Sequence, residues 1–124
     1  MKNCVFCNND RQRIVFETAL FFVIRDKYPV TDLHSLIIPK RHVESYFDLN
    51  ENEQSQVHEV LEKQKNSMME IDPSVTGFNI GINDGVDAGQ TIMHLHIHLI
   101  PRRHGDMENP RGGVRGVIPS KQSY

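Results

Sequence analysis

The 124-residue chain has no tryptophan, only two cysteines and no large surplus of either charge. Fourteen Lys and Arg stand against 16 Asp and Glu, for a formal net charge of −2. That balance excludes the broad basic surface of a nucleic-acid or membrane-surface binder. It does not exclude a small phosphorylated ligand, which needs only local positive charge. No apolar run approaches the roughly 20 residues of a membrane span. The opening MKNCVFCNND carries no long apolar segment of the signal-peptide kind. A cytoplasmic, reducing setting is therefore expected, in which Cys4 and Cys7 form no structural disulfide. Internal repeats and low-complexity segments are also missing. What is present, 38% hydrophobic and 24% charged residues, suits one domain able to bury about two-thirds of its unfolded surface.

Residues 12–25 (QRIVFETALFFVIR) are rich in Phe, Val and Ile and predict two short strands with a break near Glu17-Thr18. SLII, 35–38, predicts another, stopped by Pro39. Asn50 followed by Glu53 has the form of a capping box opening a helix. Val57, Val60, Leu61, Met68 and Ile71 then fall on one helical face. Pro73 closes the pattern, and Met68 and Met69 read as core filler. TGFNIGI, 76–82, predicts a strand, NDGVDAG, 83–89, a turn-rich loop, and 91–100 a final strand. Several strands, one sizeable helix and short loops predict an α+β domain with a mainly antiparallel sheet.

The most informative stretch is IMHLHIHLIP, residues 92–101. Side chains alternate along a strand. His94, His96 and His98 therefore share one face, and Leu95, Ile97 and Leu99 share the other, assigned to the core. Two chemistries explain three alternating imidazoles. Neighbouring ones can share a zinc ion. Alternatively, one neutral imidazole attacks an electrophile while its neighbours orient it or act on the leaving group. Phosphorus suits such a nucleophile, and the glycine-rich NDGVDAGQT segment offers backbone N–H groups for a phosphate nest, with side-chain donors at Gln90 and Thr91.

His94-Leu95-His96-Ile97-His98-Leu99-Ile100 resembles the histidine triad (HIT) motif, in which three histidines alternate with hydrophobic residues. Asn83-Asp84-Gly85, Ala88-Gly89-Gln90-Thr91 and Pro101-Arg102 flank it as in that family. LHSLIIPKRHVESYFDL, 33–49, resembles the family's segment with a substrate-facing histidine, although Leu33 stands where the family usually has glycine. The resemblance covers roughly residues 4 to 103. It implies a HIT-like fold with a five-stranded, mainly antiparallel sheet, one long helix and a shorter helical segment. It implies a HIT domain over 1–103, followed by a Gly/Pro/Arg-rich extension over 104–124, and a homodimer. It also implies a nucleotide hydrolase or nucleotidyl transferase acting at the α-phosphate, with an adenine nucleotide as partner. His96 would be the nucleophile, His98 would contact the phosphate and the leaving-group side, and His94 would hold the geometry. Asp26, His34, Asn83, Gly89, Gln90 and Thr91 would bind substrate. Dinucleoside polyphosphates are the preferred substrate class; phosphoramidates and acyl-adenylates stay open. A nucleotide-binding module without turnover is the alternative.

Cys4-Val5-Phe6-Cys7 is a CxxC, which alone is weak evidence of metal. Bacterial-type triad proteins that it resembles hold a structural zinc through that pair, and the matching further ligands are His42 and His94. Two reduced, packed cysteines are the other reading. The tail carries Arg102, Arg103, Arg111 and Arg115, either solvated or reaching a phosphate chain. His58 and His104 read as surface residues.

Overall fold

The computed structural model describes residues 2–124. β1 (Ile14–Glu17) and β2 (Phe21–Arg25) form a hairpin, followed by β3 (Ser35–Pro39), the long helix α1 (Glu51–Ile71), β4 (Val75–Gly81) and β5 (Ile97–Arg103). All neighbours pair antiparallel, in the order β1-β2-β3-β5-β4. This is the α+β architecture with one five-stranded sheet and one long helix that the sequence predicts. No helix among the described residues is long and apolar enough to cross a membrane.

The sheet has two faces. Phe21, Val23, Ile37, Ile97 and Leu99 project to one, where Val57, Val60 and Met68 of α1 pack with Leu95, Val43 and Leu49. Phe22, Ile24, Leu36 and Ile38 project to the other, which Phe6 of the N-terminal segment covers. Register places Ile24 beside Leu36, Leu36 beside His98 and His98 beside Gly81. A single row across four strands thus runs from an apolar patch to the third histidine.

Several boundaries differ from expectation. Arg11–Arg13 form a 3-10 turn whose N-cap Asp10 accepts from the Gln12 N–H, so β1 starts at Ile14 rather than 12. The last strand begins at Ile97, not 91. The Leu95 N–H donates to the Val43 carbonyl at 2.7 Å, which holds residues before 97 against the β3–α1 connection instead of the sheet. β5 also continues through Pro101. Pairing with β3 ends at Leu99, and the Pro101 carbonyl faces that free side, accepting from Thr31 Oγ1 at 2.6 Å. A missing N–H costs no ladder bond there.

Helix α1 opens on the expected capping box: Asn50 Oδ1 accepts from the Glu53 N–H and Glu53 Oε1 from the Asn50 N–H, both at 2.9 Å. Its buried stripe is Glu53, Val57, Val60, Gln64 and Met68. Leu61 is only partly buried, while Ile71, at the helix end, is 58% exposed and Met69 40%; neither belongs to the core. The two polar members stay buried because each is paired. Glu53 Oε1 takes the Arg41 guanidinium at 2.7 Å, and Gln64 Oε1 accepts from Arg25. The Arg41 hydrogen bond is the main reason the Glu53 carboxyl lies below the usual range. Glu53→Ala removes the side-chain half of the capping box and leaves Arg41 only the Asp48 carbonyl as partner, so urea denaturation should report a loss of about 2 kcal/mol. Because its folded pKa is depressed, the Glu53 contribution is present at neutral pH and fades as pH falls through that pKa.

The tail is ordered. Gly113–Val117 and Pro119–Lys121 form 3-10 turns. Arg102 grips Asp106 with two nitrogens and reaches Asn79, and Arg103 pairs with Asp72 at 3.0 Å. Arg111 and Arg115 stack on the Tyr124 ring. All four arginines therefore have partners within the chain, and Arg111 and Arg115 stay exposed. His58 and His104 are exposed.

Candidate functional site

Two clusters grow from the triad segment. The first joins the N-terminal turn to His94. The His94 Nδ1 atom lies 3.3 Å from Cys4 Sγ, 3.5 Å from Cys7 Sγ and 3.2 Å from His42 Nδ1. Cys7 Sγ lies 3.3 Å from His42 Nδ1, and Cys4 Sγ accepts from the Cys7 N–H. Four donor atoms converge on one point. Tetrahedral zinc, with bonds of about 2.0–2.3 Å, sets its ligand atoms about 3.3–3.8 Å apart, so the four fit. His94 is fully buried, and burial pushes its pKa below the usual histidine range, as a neutral ligand requires. Its Nε2–H donates to the Pro39 carbonyl at 2.8 Å, which leaves the Nδ1 lone pair facing the cluster. A carbonyl behind a ligating imidazole is the usual support for a metal-bound histidine. The four side chains can hold a metal ion with no position left open for substrate.

The second cluster lies on the same side of the chain. His96 Nδ1–H donates to the His94 carbonyl at 2.9 Å, so the lone pair of His96 sits on Nε2. The edge of the Phe6 ring lies against His96, with centroids 5.1 Å apart. His98 Nδ1 lies 2.9 Å from His34 Nε2. His34 Nδ1 in turn accepts from the Val30 N–H at 3.0 Å, and Asp26 Oδ2 lies 3.5 Å from His34 Nε2. His34, a substrate-side residue in the sequence reading, is 2% exposed and stands against His98. The Nε2 of His98 is buried without a hydrogen-bond partner. Burial, then the nearby His96 and His34 charges, push the His98 pKa down to about 4.

Asp26 ends the β2 side of this arrangement. One carboxylate oxygen accepts from the Tyr28 N–H. Asp26 also lines an open pocket of about 290 Å³ with Val5, Phe6, Ile24, Leu36 and Ile92. Ile24 and Leu36 lie in the sheet row that leads to His98. On the far side of His98, Gly81 has open space where a Cβ would stand.

The glycine-rich loop, read from the sequence as a phosphate nest, spends several of its N–H groups on itself. The Ala88 and Gln90 N–H groups donate to the Gly85 carbonyl and the Gly89 N–H to Val86. Gln90 is buried, and its side chain accepts from the Gly85 N–H and donates to the Glu44 and Ile92 carbonyls. Gly89 and Gln90 thus shape the loop and offer no open donor. Gly89 takes φ +94, a left-handed geometry that favours glycine. Asn83 and Thr91 are exposed. Thr91 lines a groove with Cys4, His42 and Ile92.

Sequence reasoning missed the backbone partners of the imidazoles, Pro39, His94 and Val30, because any residue supplies the same carbonyl or N–H. It also missed Phe6, for which the apolar residue inside Cys4-x-x-Cys7 was the available signal.

The HIT domain family model matches residues 8–105. The nitrilase and fragile histidine triad fusion protein NitFhit of Caenorhabditis elegans is 40% identical over 99 residues, covering 80% of this chain. The bis(5'-adenosyl)-triphosphatase of Dictyostelium discoideum is 38% identical over 100 residues, again 80% of this chain. The chain spans 22% of the length of the first and 66% of the second. Among solved structures, a zinc-bound histidine triad family protein from Mycobacterium smegmatis superposes with a TM-score of 0.77 at 33% identity, over 87% of this chain and 81% of that one.

Proposed function

The chain belongs to the HIT domain family, and from that premise we propose that it hydrolyses dinucleoside polyphosphates through a nucleotidyl-histidine intermediate. The observation that carries this reading is the anchored His96: its Nδ1–H is held by the His94 carbonyl, so the Nε2 lone pair is the nucleophile. Relatives named for dinucleoside polyphosphate hydrolysis support the substrate class.

His96 Nε2 attacks the α-phosphorus, a P–N bond forms, and the P–O bond to the rest of the phosphate chain breaks with its electron pair leaving on oxygen. The nucleotidylated imidazole is cationic, and the His94 carbonyl faces the Nδ1–H that carries part of that charge. Water then adds its oxygen to phosphorus, the P–N bond breaks, and one proton passes to solvent as the nucleoside monophosphate leaves. The unpartnered His98 Nε2 supplies a hydrogen bond to a phosphoryl or leaving oxygen. The apolar pocket over Ile24, Leu36 and Phe6 takes the base, and Asp26 at its rim takes the ribose hydroxyls. Asn83 and Thr91 are proposed for the outer phosphates. An adenine nucleotide is the expected partner.

Cys4, Cys7, His42 and His94 are proposed to hold zinc, which would act as a structural brace for the turn that carries Phe6. A homodimer is the assembly expected of the family, and a cytoplasmic setting fits two reduced cysteines. Turnover of diadenosine polyphosphates, with an adenylyl adduct on His96 trapped by alkaline quench and read by mass, tests the proposal. A folded protein that binds nucleotide, forms no adduct and releases no monophosphate would be a binding module instead.

A further inference from the structure

The geometry points to the backbone N–H of Val30 as the group that selects the leaving group: it fixes His34, and through it His98, as single-proton imidazoles, so the site releases fragments that depart as anions and handles amines poorly. This rests on the nucleotidyl-transfer reading above.

A backbone N–H can only donate. The Val30 contact at 3.0 Å therefore makes His34 Nδ1 an acceptor and puts the His34 proton on Nε2. That Nε2 lies nearer to His98 Nδ1, at 2.9 Å, than to Asp26 Oδ2, at 3.5 Å. The His34 proton is thus donated to His98 Nδ1, which holds a lone pair, and the single His98 proton sits on Nε2. Charging His98 would set two N–H groups against each other across 2.9 Å. Relief would require His34 to move its proton to Nδ1, where it would meet the Val30 N–H. Two titratable groups, Asp26 and His96, face this pair. The Asp26 carboxylate favours a cation, whereas the His96 ring and burial oppose one. Opposition prevails, since the pKa values of both His34 and His98 lie below the usual histidine range.

The consequence falls on bond breaking. When His96 attacks, the electron pair of the broken bond leaves with the bridging atom. A phosphate chain departs as an anion, because the second ionisation of a phosphate monoester lies near pH 6. An alkyl amine, with a conjugate acid of pKa about 10, departs only after gaining a proton. A neutral imidazole is too weak an acid to supply it. General-acid help contributes about 10²–10⁴-fold, and this site forgoes it.

Two measurements test the inference. The kcat/KM for diadenosine triphosphate should exceed that for the N-benzyl phosphoramidate of AMP by at least about 100-fold. Amide turnover within about tenfold of the anhydride would overturn it. Val30→Pro removes the donor and should narrow the ratio about tenfold; an unchanged ratio in the folded variant would equally overturn it. Long-range proton–nitrogen spectra of ¹⁵N-histidine-labelled wild type serve even if the proline variant does not fold. Between pH 6 and 8, Nδ1 of His34 and His98 should carry no proton, and a protonated His98 Nδ1 sinks the inference. These failures leave the adenylyl adduct on His96 intact. Loss of that adduct with both substrates instead brings down the nucleotidyl-transfer reading, and this inference with it.

Discussion

His96→Ala is expected to lower release of nucleoside monophosphate from a dinucleoside polyphosphate by a factor on the order of 10⁴ or more. Nucleotide affinity should move by less than about 1 kcal/mol. The asymmetry follows from where the ring sits. Its Nδ1 is anchored on the His94 carbonyl, so its role lies in the nitrogen it presents and not in holding the fold together. The proposed base pocket is made by Ile24, Leu36, Phe6, Val5 and Ile92; Phe6 lies against the His96 ring but also packs among Phe22, Ile24, Leu36 and Ile38. Alanine should therefore leave binding while removing the atom that forms the P–N bond. Single-turnover assays beside equilibrium titration separate the two. Wild-type rates in the variant would mean that phosphorus is attacked by something else.

Removing the proposed zinc should chiefly cost stability. An ion present at a thousandfold excess over its Kd contributes about 4 kcal/mol to the folded state, which for a chain of this size is a Tm shift of roughly 12–20 °C. Chelation of wild type and the substitution Cys4→Ser should produce similar losses by calorimetry, and chelator should have no further effect on Cys4→Ser. The expectation rests on Cys4, Cys7 and His42 meeting His94 Nδ1 at 3.2–3.5 Å while the His94 Nε2–H is taken by Pro39. No lone pair of His94 is left for a shared site with His96 and His98. If activity vanished reversibly with metal in a protein of unchanged Tm, an open catalytic metal on the triad would replace the nucleophile reading.

Much of this was legible in the chain. The alternation of His94, His96 and His98 with Leu95, Ile97 and Leu99 gives sidedness directly, and the three apolar residues are all buried. Asn50 and Glu53 name the start of α1, because a capping box is local chemistry. Non-local competition is what the pattern does not carry. Residues 91–96 look like strand, yet the bond from the Leu95 N–H to Val43 draws them off the sheet. His34 looks like a residue facing substrate, yet its two ring nitrogens are taken by Val30 and His98. Gln90 and Gly89 look like phosphate donors, yet the loop uses their groups to close itself. Glu53 and Gln64 break the apolar stripe of α1, and only their partners Arg41 and Arg25, distant in sequence, explain their burial. Leu33 is a further case: it adopts φ +74, a left-handed geometry that disfavours branched residues, while packing against the core.

Gly81 has a consequence for how this wall could diverge. The ladder of β4 with β5 depends on main-chain atoms, so a methyl group at this position would leave the hydrogen bonds standing. It would project into vacant room beside the third imidazole. One small substitution could therefore narrow the range of fragments admitted there, without touching any residue that performs the reaction.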